Sequence, residues 1–184
     1  SPPVDVICDG KKVSITGLLE NISPQGLLVF SDCKLENILK AWPEFLLFLK
    51  IRTSIFTESS PCILFLKAGK KICFDDLDAD KALSLYLRYF FVCQTYMSPL
   101  IKQWCGSLLE KDAIDLEKSI ETSFSENQYY EDPYFKWAFS RFGNKLSAER
   151  IFKNWSDFLR SSFEGILKAS QDTSAGGVES NENI

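Results

Sequence analysis

The chain has 184 residues, 45% hydrophobic and 14% aromatic, enough for one globular domain with a substantial core. Lys plus Arg number 21 against 25 Asp plus Glu, a net charge of −4, so there is no overall basic field and contact with nucleic acid has to rest on local patches. Histidine is absent, which excludes Ser-His and Cys-His nucleophilic catalysis and every imidazole-dependent metal site.

Val4 to Cys8 alternates loosely, Asp9-Gly10-Lys11 is a hairpin turn signal, and Lys12 to Glu20 reads as a second strand. Ser23-Pro24-Gln25-Gly26 is the next turn. Leu27-Leu28-Val29-Phe30 is a continuous apolar run, the pattern of a strand covered on both faces, so a three-stranded meander is expected. From Leu35 to about Lys50 the residues Leu35, Ile38, Leu39, Trp42, Phe45, Leu46 and Leu49 keep helical spacing. Pro43 falls inside that stretch and predicts a kink or a two-part helix.

Pro61 to Lys67 returns to strand character, Ala68-Gly69-Lys70-Lys71 is a turn, and Ile72 to Phe74 is a short partner strand. Asp78 caps a helix running to about Tyr96, which Ser98-Pro99 ends. The remainder reads as helical: Trp104 to Glu110, Ile114 to Ile120, the aromatic stretch Tyr134 to Phe139 after Glu131-Asp132-Pro133, and a last helix capped by Ser147 and running through Leu167. Residues 1–168 are expected to form one domain, and the polar residues 169–184 a disordered tail.

The six cysteines, Cys8, Cys33, Cys62, Cys73, Cys93 and Cys105, form no Cys-x-x-Cys pair and lie in apolar surroundings, as reduced, buried thiols of a cytoplasmic protein do. No apolar run approaches the roughly 18 residues of a membrane span, so no membrane partner is expected. Ser1-Pro2-Pro3 is neither a signal peptide nor an initiator methionine, which points to a soluble piece of a longer protein.

Three strands, a helix and a further strand make an α/β (α+β) layout with a mixed sheet flanked by helices. The nuclease core of the PD-(D/E)XK class has this order. Glu20 ahead of the second turn and Asp32-Cys33-Lys34 after it fit that class, because two carboxylates and an ammonium at one end of a hairpin can hold a divalent metal against a phosphodiester. Lys34 shares a strand face with Asp32 by the two-residue period. Against catalysis, Asp-x-Lys recurs at Asp9-Gly10-Lys11, in a turn. The bacterial recombination nucleases of the class also carry a Gln and a Tyr on the following helix, where this chain reads Ala41-Trp42-Pro43-Glu44-Phe45. Glu20, Asp32 and Lys34 therefore stand as a vestigial set, with live Mg²⁺ catalysis as the alternative.

The chain up to about Lys168 resembles the C-terminal domain of RecC, the gamma subunit of exodeoxyribonuclease V. The resemblance rests on Ile15-Thr16-Gly17-Leu18-Leu19, on Gly26 to Phe30 leading through Lys34-Leu35 to Leu39-Lys40-Ala41-Trp42 and Phe45-Leu46, on Ala82 to Leu100, and on Glu131 to Phe135. It implies a nuclease-like fold without a working active site, acting as scaffold and DNA guide in an ATP-dependent helicase-nuclease that processes double-strand ends for homologous recombination and DNA repair. RecB-like and RecD-like subunits would carry the ATP and Mg²⁺ chemistry, leaving no cofactor in this domain. The family's basic Arg-Pro-Gly-Lys stretch is replaced here by Ser31-Asp32-Cys33-Lys34, and the histidine that follows the helix tryptophan is missing.

Lys11 and Lys12 flank one turn and Lys67, Lys70 and Lys71 another; hairpin tips bearing lysine can reach phosphates of double- or single-stranded DNA, or can simply be solvated. Arg141, Lys145 and Arg150 form a further basic set, either a phosphate patch or a solvated helix start. The helices around Phe45 to Phe48 and Tyr86 to Phe91 carry more apolar surface than one sheet face needs, for a partner subunit or a two-sided core. A protein-interaction module without DNA contact is the remaining alternative.

Overall fold

A computed structural model describes residues 3–96, 98–100, 104–125 and 147–175. Two compact units divide the chain, one from residues 1–88 and 163–184, the other from residues 89–162. Among the described residues no helix is long and apolar enough to cross a membrane.

In the first unit, β1 (Val4–Cys8) and β2 (Lys11–Ile15) pair antiparallel as their own two-stranded sheet. Asp9 (φ 49°) and Gly10 (φ 74°) both take positive φ, the two-residue turn whose twist suits a hairpin. Val6 and Cys8 point inward, 4% exposed each. The second strand stops at Ile15 rather than reaching Glu20, and the expected three-stranded meander is not formed. Exposed residues Thr16 to Leu18 cover nothing, and Asn21 turns the chain in the left-handed region (φ 54°), so a new strand begins.

The main sheet is four-stranded in the order β3 (Ile22–Ser23), β4 (Gly26–Val29), β5 (Cys62–Phe65) and β6 (Lys70–Cys73). β3 and β4 form a hairpin around Pro24-Gln25, β4 and β5 run parallel with Leu27 beside Ile63, and β6 returns antiparallel. This is a mixed sheet flanked by helices. Gly26 (φ 137°) is fixed by crowding: a Cβ there would overlap the Cys62 carbonyl.

The crossover between the parallel strands is α1 (Leu35–Ile55). Pro43 does not split it. The ring removes the donor that the Leu39 carbonyl would meet, yet Trp42, Phe45, Leu46 and Phe48 are fully buried around it, and that packing holds the backbone helical. The apolar surface of Phe45 and Phe48 is thus spent in the chain's own core. Trp42, Phe45 and Phe74 stack with centroids 4.7 to 5.7 Å apart. The indole Nε1 of Trp42 is buried with no hydrogen-bond partner among the described residues, a cost accepted for ring packing.

Cys62 and Cys73 face each other across β5 and β6 and form a disulfide, correcting the expectation of six reduced thiols. The reason is register: antiparallel pairing sets the two Cα atoms 4.2 Å apart on one face, which no spacing rule reveals. Cys8, Cys33 and Cys93 stay outside that disulfide as thiols.

Asp78 accepts the Lys81 amide (3.0 Å) and caps α2 (Ala79–Thr95), as read from sequence. The unit boundary crosses this helix after Arg88. The last predicted helix is broken at Phe163 into α5 (Ala148–Ser162) and α6 (Glu164–Ala175). Phe163, 2% exposed, turns inward, and Gly165 lets α6 approach so closely that a Cβ would lie 2.9 Å from Trp42 and 2.7 Å from Leu77. The tail expected from residue 169 overlaps α6 as far as Ala175.

The second unit packs α3 (Cys105–Glu110), α4 (Ala113–Ser125) and α5 around Leu108, Leu116 and Leu159, all fully buried. Arg160 on α5 ties down the end of α3, donating from Nε to the Leu109 carbonyl (3.1 Å) and from Nη2 to the Lys111 carbonyl (2.6 Å). Ser147 caps α5 through the Arg150 amide, as expected. The aromatic stretch Tyr134 to Phe139, together with Arg141 and Lys145, lies outside the described residues.

Candidate functional site

Because β4 and β5 are parallel, the segments that leave them emerge at the same edge of the sheet. Ser31-Asp32-Cys33-Lys34 follows β4 and leads into α1; Leu66-Lys67-Ala68-Gly69 follows β5 and turns into β6. The C-terminal edge of a parallel pair next to a topological crossover is where open α/β sheets place their ligands. Here it collects charge. Asp32 lies between two lysines, its Oδ2 3.7 Å from Lys34 Nζ and its Oδ1 3.5 Å from Lys67 Nζ. The Lys70 ammonium is close enough to lower the Cys33 thiol pKa, although burial outweighs it and leaves that thiol raised.

Backbone bonds shape the loop. The Asp32 carbonyl accepts the Lys34 amide (3.0 Å) and the Asn37 side-chain amide (3.0 Å), which pins the loop against the first turn of α1. Lys34 occupies the N-cap of α1 with extended backbone and no side-chain capping bond, so its ammonium is left to the sheet edge.

Asp32 and Lys34 do meet, though not on a strand face: β4 ends at Val29 and both residues lie in the following loop. Glu20 is not on a strand either. It sits in the connection before β3, exposed and without an ion pair among the described residues. No group of three or more His, Cys, Asp or Glu side chains among the described residues is arranged to hold a metal. What the edge can do chemically is attract an anion: Lys34 and Lys67 are about two-thirds exposed or more, and their bonds to Asp32 are long and solvated.

The other lysines divide. Lys70 and Lys71 stand on successive positions of β6 and so face opposite sides of the sheet. Lys12 is paired with Asp5 at 2.7 Å, and that ion pair with the Ser14 hydroxyl bond holds the Asp5 carboxyl below its usual pKa. Lys11 is exposed at the start of β2, and Arg150 is exposed in the first turn of α5.

Two features escaped the sequence reading. Lys67 approaches the same Asp32 carboxylate as Lys34, a consequence of parallel pairing across α1. Phe30 ended an apolar run read as covered on both faces; it lies past the end of β4 and is 71% exposed. Phe90 and Phe91 on α2 are also close to half exposed.

Comparison of the chain with protein-family models, with curated proteins and with solved structures returns no match.

Proposed function

We propose that this chain is a nuclease-like domain of the RecC type, a non-catalytic scaffold and DNA guide in a helicase-nuclease that processes double-strand ends. The observation that carries the reading is the placement of Asp32 between Lys34 and Lys67. Two exposed ammonium groups around one carboxylate leave the edge with a net positive charge, which it offers to a phosphate backbone. Support for the nuclease-like fold comes from the order hairpin, crossover helix, parallel strand and antiparallel edge strand, together with the RecC-like segments Gly26 to Phe30, Leu39 to Trp42 and Ala82 to Leu100. The ATP-driven motor and the Mg²⁺-dependent nuclease belong to RecB-like and RecD-like partner subunits.

The guiding role rests on phosphate contact, so its test is binding to labelled double- and single-stranded DNA at low salt, with the chain alone and with its partner subunits. Affinity that falls steeply with added salt is the expected result. Binding that stays undetectable in both settings refutes the guiding role and favours a protein-interaction module.

A further inference from the structure

We propose that the Cys62–Cys73 bridge is a thiol-exchange site, opened at Cys73 by a small thiol such as glutathione and closed again on oxidation, and that its state sets how firmly the edge strand β6 is held.

The two sulfurs differ in access. Cys73 lies on β6 at the edge of the four-stranded sheet and is exposed, whereas Cys62 on the interior strand β5 is 1% exposed. A thiolate arriving from solution therefore meets Cys73 and not its partner. The chain's own Cys8 and Cys33 do not compete for it, because burial pushes both thiols up and keeps them protonated at neutral pH.

Exchange then runs in two steps. The incoming thiolate attacks Cys73 Sγ, a new S–S bond forms there, and the Cys62–Cys73 bond breaks with its electron pair leaving on the Cys62 sulfur. That sulfur takes up a proton, since a buried charge is costly. A second small thiolate attacks the reductant sulfur of the mixed disulfide, so Cys73 leaves as a thiolate, takes up a proton in turn, and the reductant departs as its own disulfide. Two electrons have passed from two small thiols to the bridge.

Register prepares the return. The Phe74 amide donates to the Pro61 carbonyl (2.9 Å), which puts the neighbouring pair Cys62 and Cys73 at a position without mutual backbone bonds, where facing side chains come closest. Pairing on either side, at Ile63 with Ile72 and through the Phe74 to Pro61 bond, keeps the two thiols opposed after reduction. Apart from its ladder to β5, β6 has little else to hold it: of its four residues only Ile72 is buried. The bridge thus carries a large share of the strand's attachment. The turn it closes holds Lys67, so opening it also loosens the element that sets Lys67 Nζ 3.5 Å from Asp32.

The test uses the full chain in its oxidised form, exposed to glutathione at several concentrations, quenched with acid and mapped by mass spectrometry. The mixed disulfide is expected on the Cys73 peptide, with an opening rate proportional to thiolate concentration and flat in urea well below the unfolding midpoint. Opening that requires urea, or that accelerates steeply with it, makes the bridge a structural link reached only by unfolding and overturns the site. Glutathione found on Cys62 instead overturns it as well. With glutathione disulfide as the probe, Cys62→Ser is expected to be modified at Cys73 about 10-fold or more faster than Cys73→Ser is at Cys62, and equal rates contradict the difference in access. The unaltered chain supplies a reading that does not depend on either variant folding. Amide exchange over residues 66–73 should quicken by about 10-fold or more on reduction and revert on reoxidation. Exchange there that ignores the state of the bridge overturns its hold on β6.

Discussion

Asp32 and Lys67 stand at the ends of two parallel strands that α1 separates in sequence, and their charged groups lie 3.5 Å apart. Lys34 reaches the same carboxylate at 3.7 Å. Both lysines are well exposed, so each pair contributes no more than about 1 kcal/mol and a phosphate can displace it. The edge is therefore poised for exchange of one anion for another.

Removing the internal anion should strengthen the external one. Asp32→Asn is expected to tighten DNA binding several-fold at low salt, because Lys34 and Lys67 no longer give up a carboxylate. Lys67→Ala should weaken binding evenly across sequences and reduce the slope of log affinity against log salt by roughly 1. Anisotropy titrations at several salt concentrations measure both.

The strand crossing at Gly26 tolerates no side chain. Gly26→Ala would press a Cβ into the Cys62 backbone carbonyl at a φ of 137°. The expected cost is about 3 kcal/mol or more, seen as a lower midpoint in urea unfolding. Gly10→Ala meets no neighbouring atom, and its cost is confined to the positive φ of the turn.

Acid should loosen α6. Glu164 is held below its usual pKa first by its hydrogen bond with Lys168 (2.6 Å) and then by the charges of Lys168 and Lys81. A depressed folded-state pKa stabilises the fold above the unfolded value and is lost as pH falls through the folded one. Stability should accordingly drop as pH is lowered below about 4.5, and Glu164→Gln should flatten that part of the curve, as read by urea midpoints across pH.

Much of the frame was readable from the chain. Asp9-Gly10 announced its turn, and Asp78 and Ser147 announced their caps, because those signals are local and backbone geometry alone dictates them. Pro43 misled because its local penalty is outweighed by the packing of Trp42 and Phe45, a tertiary effect. The meander failed for a related cause: Gly17 to Glu20 has strand-like neighbours but nothing to cover. At the site, Asp32 with Lys34 was visible as a pair two residues apart. Lys67 joining them was not, since only parallel pairing across α1 brings it there.

Register also decides the thiols. After denaturation without reductant, a thiol reagent should count four free groups, and six after reduction, with the Cys62 and Cys73 peptides linked in the unreduced digest. Cys73→Ser should lower stability by about 2 to 3 kcal/mol, the range for closing a loop of this size.

Whether Asp32 performs chemistry decides the central claim. The purified chain, incubated with end-labelled single- and double-stranded DNA and Mg²⁺, is compared with Asp32→Ala on denaturing gels. A non-catalytic, phosphate-attracting edge predicts no cleavage above background by either protein, with DNA bound more tightly by the variant. Cleavage by the unaltered chain that disappears in Asp32→Ala would contradict the account and make this edge a working nuclease site.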